Sequence, residues 1–224
     1  MKNKKGILFF DLDGTVADSG TGILASMNHV LEARHLQPLT SEDLTHFVGP
    51  PLSVSFPIVF APRGVPAEEM HVFIAEYRAI YGATHLPQTP LNPGMSDALT
   101  ELKNSWRLAI VTSKPEPQAL IAIQATGVRH YFDIVVGPHD DSEIPKAQLL
   151  ERALREMKEL HGELPPLASC WMIGDRHHDI DAGVEVGTHT AGVLWGFGSR
   201  EELVSAGATA IVETPQELVA VLNN

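Results

Sequence analysis

Cysteine is almost missing from this chain of 224 residues, and the single one, Cys170, excludes an intramolecular disulfide. It lies in the apolar run Cys170-Trp171-Met172-Ile173, which predicts a buried structural thiol rather than a reactive one. Positive charge is scarce too. Sixteen Lys and Arg stand against 28 Asp and Glu, a formal net charge of −12 and a pI of about 5.3. That balance argues against nucleic acid or an acidic membrane surface as partner. A small anionic substrate stays open, because a bound cation can reverse the local field. No apolar run approaches transmembrane length. The basic start Met1–Lys5 leads into a short apolar run that ends in Asp, which is no signal-peptide core, so a cytoplasmic location is the expectation. With 44% hydrophobic residues, the chain has the composition of a globular enzyme and the length for one large domain or a core with a modest insert.

What the chain does have is a set of short β-capable runs: 6–10, 108–112, 134–137, 170–173, 190–194 and 210–212. Amphipathic stretches with helical spacing separate most of them, for example Ala98-Leu99-x-x-Leu102 and Leu149-Leu150-x-x-Ala153-Leu154. Strands alternating with helices predict βαβ units and a mostly parallel, Rossmann-like α/β sheet. One interval breaks the rhythm. Between Ser19 and Gln88 no strand is evident; Ile23, Met27, Val30 and Leu31, then Met70, Phe73, Ile74 and Tyr77, recur at helical spacing. A Pro- and Gly-rich passage, VGPPLSVSFPIVFAPRGVP, lies between them, and Leu91-Asn92-Pro93-Gly94 closes the interval with a turn signal. The expectation is a core formed by 1–16 and 89–224, with a helical insert over 17–88.

In an open parallel sheet, ligands bind beyond the C-terminal ends of the strands. The first predicted strand delivers Asp11 and Asp13 there, in GILFFDLDGTVADSG. The second, RLAIVTSKPEP, delivers Thr112, Ser113 and Lys114. The third leads into DSEIPKAQLL, with Lys146 at a helix start, and the fourth, CWMIGDRHHDI, brings Asp175 and Asp179. Several acids, a hydroxyl and a lysine converging on one crevice make a poor structural choice. They suit a divalent cation and a phosphate, since hard oxygens hold Mg²⁺ while Lys and hydroxyl hold the anion.

DLDGT, a strand ending in Thr, a helix opened by Lys and GDRHHDI, in that order, resemble the four motifs of the haloacid dehalogenase superfamily. The likeness spans nearly the whole chain, and the insert stands where that superfamily carries its helical C1 cap. IVTSKPEP, GDRHHDI and GVLWGFGSREEL are similar to its phosphoglycolate phosphatase-like and 5′-nucleotidase-like branch. The resemblance implies Asp11 as nucleophile, forming an aspartyl-phosphate, and Asp13 as the acid and base that serves leaving group and water. It implies Mg²⁺ held by Asp11, the Asp13 backbone carbonyl and Asp175, phosphate held by Thr112, Ser113 and Lys146, and Asp179 orienting Lys146 or metal-bound water. Dehalogenases of the superfamily lack an acid at the position of Asp13, so phosphoryl transfer is favoured. The implied activity is Mg²⁺-dependent hydrolysis of a small phosphate monoester. A β-phosphoglucomutase-type phosphomutase and a non-catalytic binding protein on the same fold are the alternatives.

One departure concerns the lysine. Many relatives place it in Lys-Pro-x-Pro, a string found here only as Lys114-Pro115-Glu116-Pro117 at the second motif, so Lys114 is a further candidate for the phosphate. His177 and His178, adjacent at a helix start, are badly placed to face one ion together and are expected in solvent. Phe47, Phe56, Phe60 and Phe73 are expected to fill the core of the insert, and Arg63 and Arg78 to be solvated charges unless one reads a distal anion of the substrate. Gly49-Pro50-Pro51-Leu52 is expected to form a loop facing the site, with Ser53 beside it.

Overall fold

The computed structural model describes residues 4–49, 52–140 and 142–223. Six strands form one parallel sheet in the order β3-β2-β1-β4-β5-β6: β1 (Ile7–Phe10), β2 (Arg107–Val111), β3 (Ile134–Val136), β4 (Cys170–Gly174), β5 (His189–Val193) and β6 (Ala210–Val212). All six predicted runs are strands, with ends shifted by a residue or so. The sheet is covered on both faces, which explains why β1 is apolar throughout rather than alternating. Leu8 and Phe10 point into one cluster, while Ile7 and Phe9 point into the other with Ala109, Val111 and Met172. All four β1 side chains are fully buried.

Ten α-helices are described. The first four precede β2: α1 (Gly20–Glu32), α2 (Leu44–Phe47), α3 (Leu52–Phe60) and α4 (Met70–Ile80). Next come α5 (Met95–Ser105), α6 (Glu116–Ala125), α7 (Lys146–His161), α8 (His177–Val186), α9 (Arg200–Ser205) and α10 (Pro215–Asn223). Helix α7 lays Leu149, Leu150, Ala153, Leu154 and Met157 on the Ile7/Phe9 face. The opposite face is covered by apolar residues of α5, α6 and α10, and that cluster runs without a break into the helices between Gly20 and Gln88.

Among the described residues between Gly20 and Gln88 there is no strand, in keeping with the expectation for that interval. Their centre is a chain of rings: Phe47 and Phe56 at 5.1 Å, Phe56 and Phe60 at 4.8 Å, Phe60 and Phe73 at 5.6 Å, then Phe56 and Tyr77 at 5.9 Å. The Pro-rich passage between the two helical stretches is itself partly helical. Residues 52–60 form α3 with Pro57 inside it, because the burial of Phe56, Val59 and Phe60 outweighs the one backbone hydrogen bond that Pro57 removes. After α4 the chain loosens into a π-turn over Tyr81–His85, which re-aims Tyr81.

Two strands of chain join the helical segment to the sheet, and they pair with each other. Ala17 bridges Leu91, Asp18 N donates to Pro90 O at 2.9 Å, and Asn92 N donates to Val16 O at 2.9 Å. The chain leaves β1 for β2 and β3 on one side, then returns to β4 on the other. The reversal between β1 and β4 opens a crevice at the C-terminal ends of those strands, and the helical segment lies over it.

Candidate active site

Asp11 follows the last residue of β1, its N–H still bonded to Ile173 O at 2.8 Å, so the neighbouring strand holds its backbone in register. The turn beyond it needs Gly14. That residue has φ +82°, and a Cβ there would lie 2.4 Å from Asp175 Oδ2 and 2.7 Å from the Phe197 ring. At the end of β4, Gly174 is required for a different reason: a Cβ would overlap the Asp179 carboxylate at 2.0 Å. The two glycines let three carboxylates from separate segments crowd together. One oxygen each of Asp11, Asp175 and Asp179 lie within 4.8 Å of one another, and all three residues are buried.

Lys146, the first residue of α7, reaches back into this cluster. Its Nζ is 2.6 Å from Asp11 Oδ1 and forms a second ion pair with Asp179 Oδ1. Burial acts to lower the Lys146 pKa, but the Asp11 and Asp179 carboxylates outweigh it and the ammonium is held well above its ordinary value. Asp11 shows the opposite balance. Burial pushes its carboxyl up to about 7 against the pull of Lys146, with Asp179 adding to the rise. Asp175 is likewise pushed well above the carboxylate range by burial and by Asp179 and Asp11. It is oriented by Phe197 N, which donates to Oδ2 at 2.7 Å, and by Thr15 Oγ1, which donates to Oδ1 at 3.2 Å. The Thr15 carbonyl in turn accepts from Trp195 Nε1 and Asn92 Nδ2. Asp175 stands one residue before the N-cap of α8, which is Arg176, so a capping role does not account for it.

Asp13 faces elsewhere. Its Oδ1 pairs with Lys114 Nζ at 2.9 Å, and Lys114 also donates to Tyr81 Oη at 3.3 Å. Burial of Lys114 works against its charge, yet Asp13 and the two tyrosines hold its pKa above normal. Lys114 therefore spans Asp13 and the helical segment. Thr112 is buried at the end of β2, its N–H bonded to Val136 O at 3.0 Å, and Ser113 is half-buried beside it. Both line a cavity of about 130 Å³ with Asp11, Asp13, Lys114, Lys146 and Asp179. The far wall comes from the helical segment and is mostly apolar, with Ile23, Phe47, Val48, Leu52, Tyr77 and Tyr81, plus Arg78.

The remaining sequence candidates separate. Arg78 lines the cavity, whereas Arg63 is pinned outside it by Asp43 at 2.9 Å and the Val59 carbonyl at 2.7 Å. His177 and His178 are half-buried rather than solvated, with rings 3.8 Å apart. The cause is the helical segment, which covers the first turn of α8 and puts His178 against Gly49 and into the cavity wall. Burial, His177 and Lys146 lower the His178 pKa to about 4, so it is neutral at pH 7. The four phenylalanines are buried as expected. Cys170 is buried and its thiol is pushed up to about 11. Pro50 and Pro51 lie outside the described residues, as does the Ser53 side chain. Tyr81 joins the site without any signal in local spacing, through its contact with Lys114, while Thr15, Arg176 and His178 stand inside DLDGT and GDRHHDI, where the resemblance implies no role for them.

Four aspartates meet two lysines in a buried site, and the crowding that raises Asp11 and Asp175 is what a cation among these hard carboxylate oxygens would relieve. Such a set fits a divalent cation of the Mg²⁺ type. The haloacid dehalogenase-like hydrolase family matches residues 8–193. The chain belongs to this family. It is 35% identical over 210 residues to the tyrosine-protein kinase PtkA of Mycobacterium tuberculosis, covering 92% of this chain and 67% of that protein. To the pyrophosphatase PpaX of Anoxybacillus flavithermus it is 30% identical over 217 residues, covering 96% and 95% of the two chains. Among solved structures, a predicted phosphatase from Clostridium acetobutylicum superposes with a TM-score of 0.84 at 30% identity, over 99% of each chain. This member of the haloacid dehalogenase-like family is a phosphatase. Among its described residues no helix is long and apolar enough to cross a membrane.

Proposed function

We infer that this phosphatase hydrolyses a small phosphate monoester through an aspartyl-phosphate on Asp11, with Mg²⁺ as cofactor. The observation that carries the reading is the Lys146–Asp11 contact at 2.6 Å beside the acidic cluster, with Asp13 two residues on and paired with Lys114 at 2.9 Å. A carboxylate approaching a phosphate dianion meets strong repulsion unless cations stand beside it. Mg²⁺ would be held by Asp11, the Asp13 carbonyl and Asp175, and when bound it neutralises phosphoryl charge and lowers the barrier to anionic attack.

In the first step an Asp11 oxygen bonds to phosphorus and the bond to the ester oxygen breaks. Asp13, carrying a proton, gives it to that oxygen as it leaves. In the second step Asp13, now a base, takes a proton from water while the water oxygen bonds to phosphorus and Asp11 is freed. Lys146 and the hydroxyls of Thr112 and Ser113 hold the non-bridging oxygens through both steps, and Asp179 keeps Lys146 in place. Lys114 holds Asp13 in one position on the leaving-group side.

Residues 17–88 act as a cap over the core of 1–16 and 89–224. The paired linkers near Val16–Ser19 and Leu91–Gly94 suit a hinge, and the apolar wall that the cap contributes excludes water while leaving room for the ester. The cavity of about 130 Å³ leaves space for a leaving group between the phosphoryl-holding residues and the apolar wall. The test is a panel of phosphate esters assayed with and without Mg²⁺, with Asp11→Asn as control. Cleavage is expected with Mg²⁺ and not without it, and not by Asp11→Asn. The name of the mycobacterial relative raises transfer to a protein hydroxyl instead of water, and a phosphomutase would transfer to a sugar. Release of inorganic phosphate with no acceptor present supports hydrolysis; release of the leaving group only when an acceptor is added, with the phosphoryl group found on that acceptor, contradicts it.

A further inference from the structure

Arg176 has no part in the chemistry above, yet it touches both the helical segment and the phosphoryl-holding pair. Its side chain is 11% exposed. One terminal nitrogen donates to Thr45 O at 2.7 Å and to Val48 O, at the C-terminal end of α2. The last carbonyls of a helix have no partner inside it, and a guanidinium with several donors in a fixed plane can satisfy two at once. Its Nε donates to Glu202 Oε1 at 2.9 Å, and that oxygen also accepts His177 N at 2.8 Å, so α9 holds the guanidinium from the core side. Gly49 lies against the same side chain, 3.5 Å from it at the position of an added Cβ.

The backbone of the same residue reaches the site. Arg176 N donates to Asp179 Oδ2 at 3.1 Å; the other Asp179 oxygen pairs with Lys146, which stands 2.6 Å from Asp11. An unbroken series of polar contacts thus runs from two carbonyls of the helical segment to the nucleophile. A single residue sits at its midpoint.

We propose that Arg176 is a positioning residue that ties the seating of residues 44–49 over the cavity to the orientation of the Asp179–Lys146 pair. The proposal rests on Asp11 and Lys146 handling the phosphoryl group. With the helical segment seated, the guanidinium is fixed at three points, and its backbone N–H presents Asp179 to Lys146. When the segment lifts, Thr45 and Val48 withdraw, the guanidinium keeps only Glu202, and the start of α8 is free to shift. Substrate capture and alignment of the phosphoryl-holding lysine are thereby one event. Removing the side chain lowers the seated fraction and weakens apparent affinity in proportion.

The experiment compares backbone hydrogen exchange at 44–49 and 176–179 in the wild type, Arg176→Gln, Arg176→Lys and Glu202→Gln. Each is measured alone and with Mg²⁺ plus inorganic phosphate. Without ligand, residues 44–49 are expected to exchange at least roughly tenfold faster in Arg176→Gln, through loss of hydrogen bonds from a charged donor. With phosphate, both segments slow together in the wild type; in Arg176→Gln only 176–179 slows. For p-nitrophenyl phosphate, kcat/KM falls about tenfold, mostly through KM, with Arg176→Lys intermediate. If Arg176→Gln fails to fold, Glu202→Gln shows the same pattern at smaller size. Unchanged exchange at 44–49 in either glutamine variant overturns the proposal, and so does a loss in kcat at constant KM. The ligand-free comparison stands even if the chain cleaves no ester, so failure of the hydrolase reading and failure of the coupling are told apart.

Discussion

The proposed attack of Asp11 on phosphorus needs an anion, yet burial holds its carboxyl at about 7 and Asp175 well above its ordinary range. In the metal-free protein the folded state therefore binds more protons than the unfolded chain between about pH 4 and 7. Stability contributed by these groups falls as pH rises through that window, and a divalent cation restores it. Thermal melts are expected to show a larger Mg²⁺-induced rise in Tm at pH 8 than at pH 5.5. An equal rise at both would mean that these carboxylates do not hold the ion. Replacing Asp11 by Asn removes the proposed nucleophile with little change of shape, and turnover is expected to fall by on the order of 10³ or more with the melting temperature preserved or raised. Lys146→Ala removes the cation proposed to hold the phosphoryl group of every ester, so all substrates should slow by a similar factor, roughly 10². Asp11, Asp13, Lys146, Asp175 and Asp179 were legible because each follows a strand or opens a helix inside a recognisable local string. The roles of Thr15 and Arg176 were not, although both stand in those strings, and Tyr81 was not at all, since their contacts are with distant chain.

Among the elements, α1 and α4 announce themselves by the spacing of Ile23, Met27, Val30 and of Met70, Phe73, Tyr77, all buried. Helix α3 does not, because two prolines before it and Pro57 within it read as breakers. It forms because Phe56 and Phe60 lock into the ring chain from Phe47 to Tyr77, a tertiary gain that no local pattern displays. Phe56→Ala should therefore destabilise the protein by roughly 3–5 kcal/mol in urea unfolding. A loss under about 1 kcal/mol would mean that α3 is held some other way. The strands were more readable than the helices around 52–60, since burial on both sheet faces leaves a plain apolar run in the sequence.

At the scale of the whole molecule, the sheet supplies a fixed edge of charge and the helical segment a largely apolar wall, and the cavity exists only where the two meet. Selectivity should follow the wall. Leu52→Ala, which enlarges it, is expected to change the rank order of a phosphate-ester panel, whereas Lys146→Ala keeps the order and lowers all rates. Proportional losses in both variants would move the selector into the core. The central claim, a phosphoryl group carried on Asp11, has a direct test. The enzyme is mixed with Mg²⁺ and a good ester, quenched in acid within one turnover, and the peptide spanning Gly6–Gly20 is weighed and sequenced by mass spectrometry. The account predicts a phosphoryl adduct on Asp11 that hydroxylamine removes and that Asp11→Asn lacks. Turnover with no adduct, or with the adduct on another residue, would contradict it.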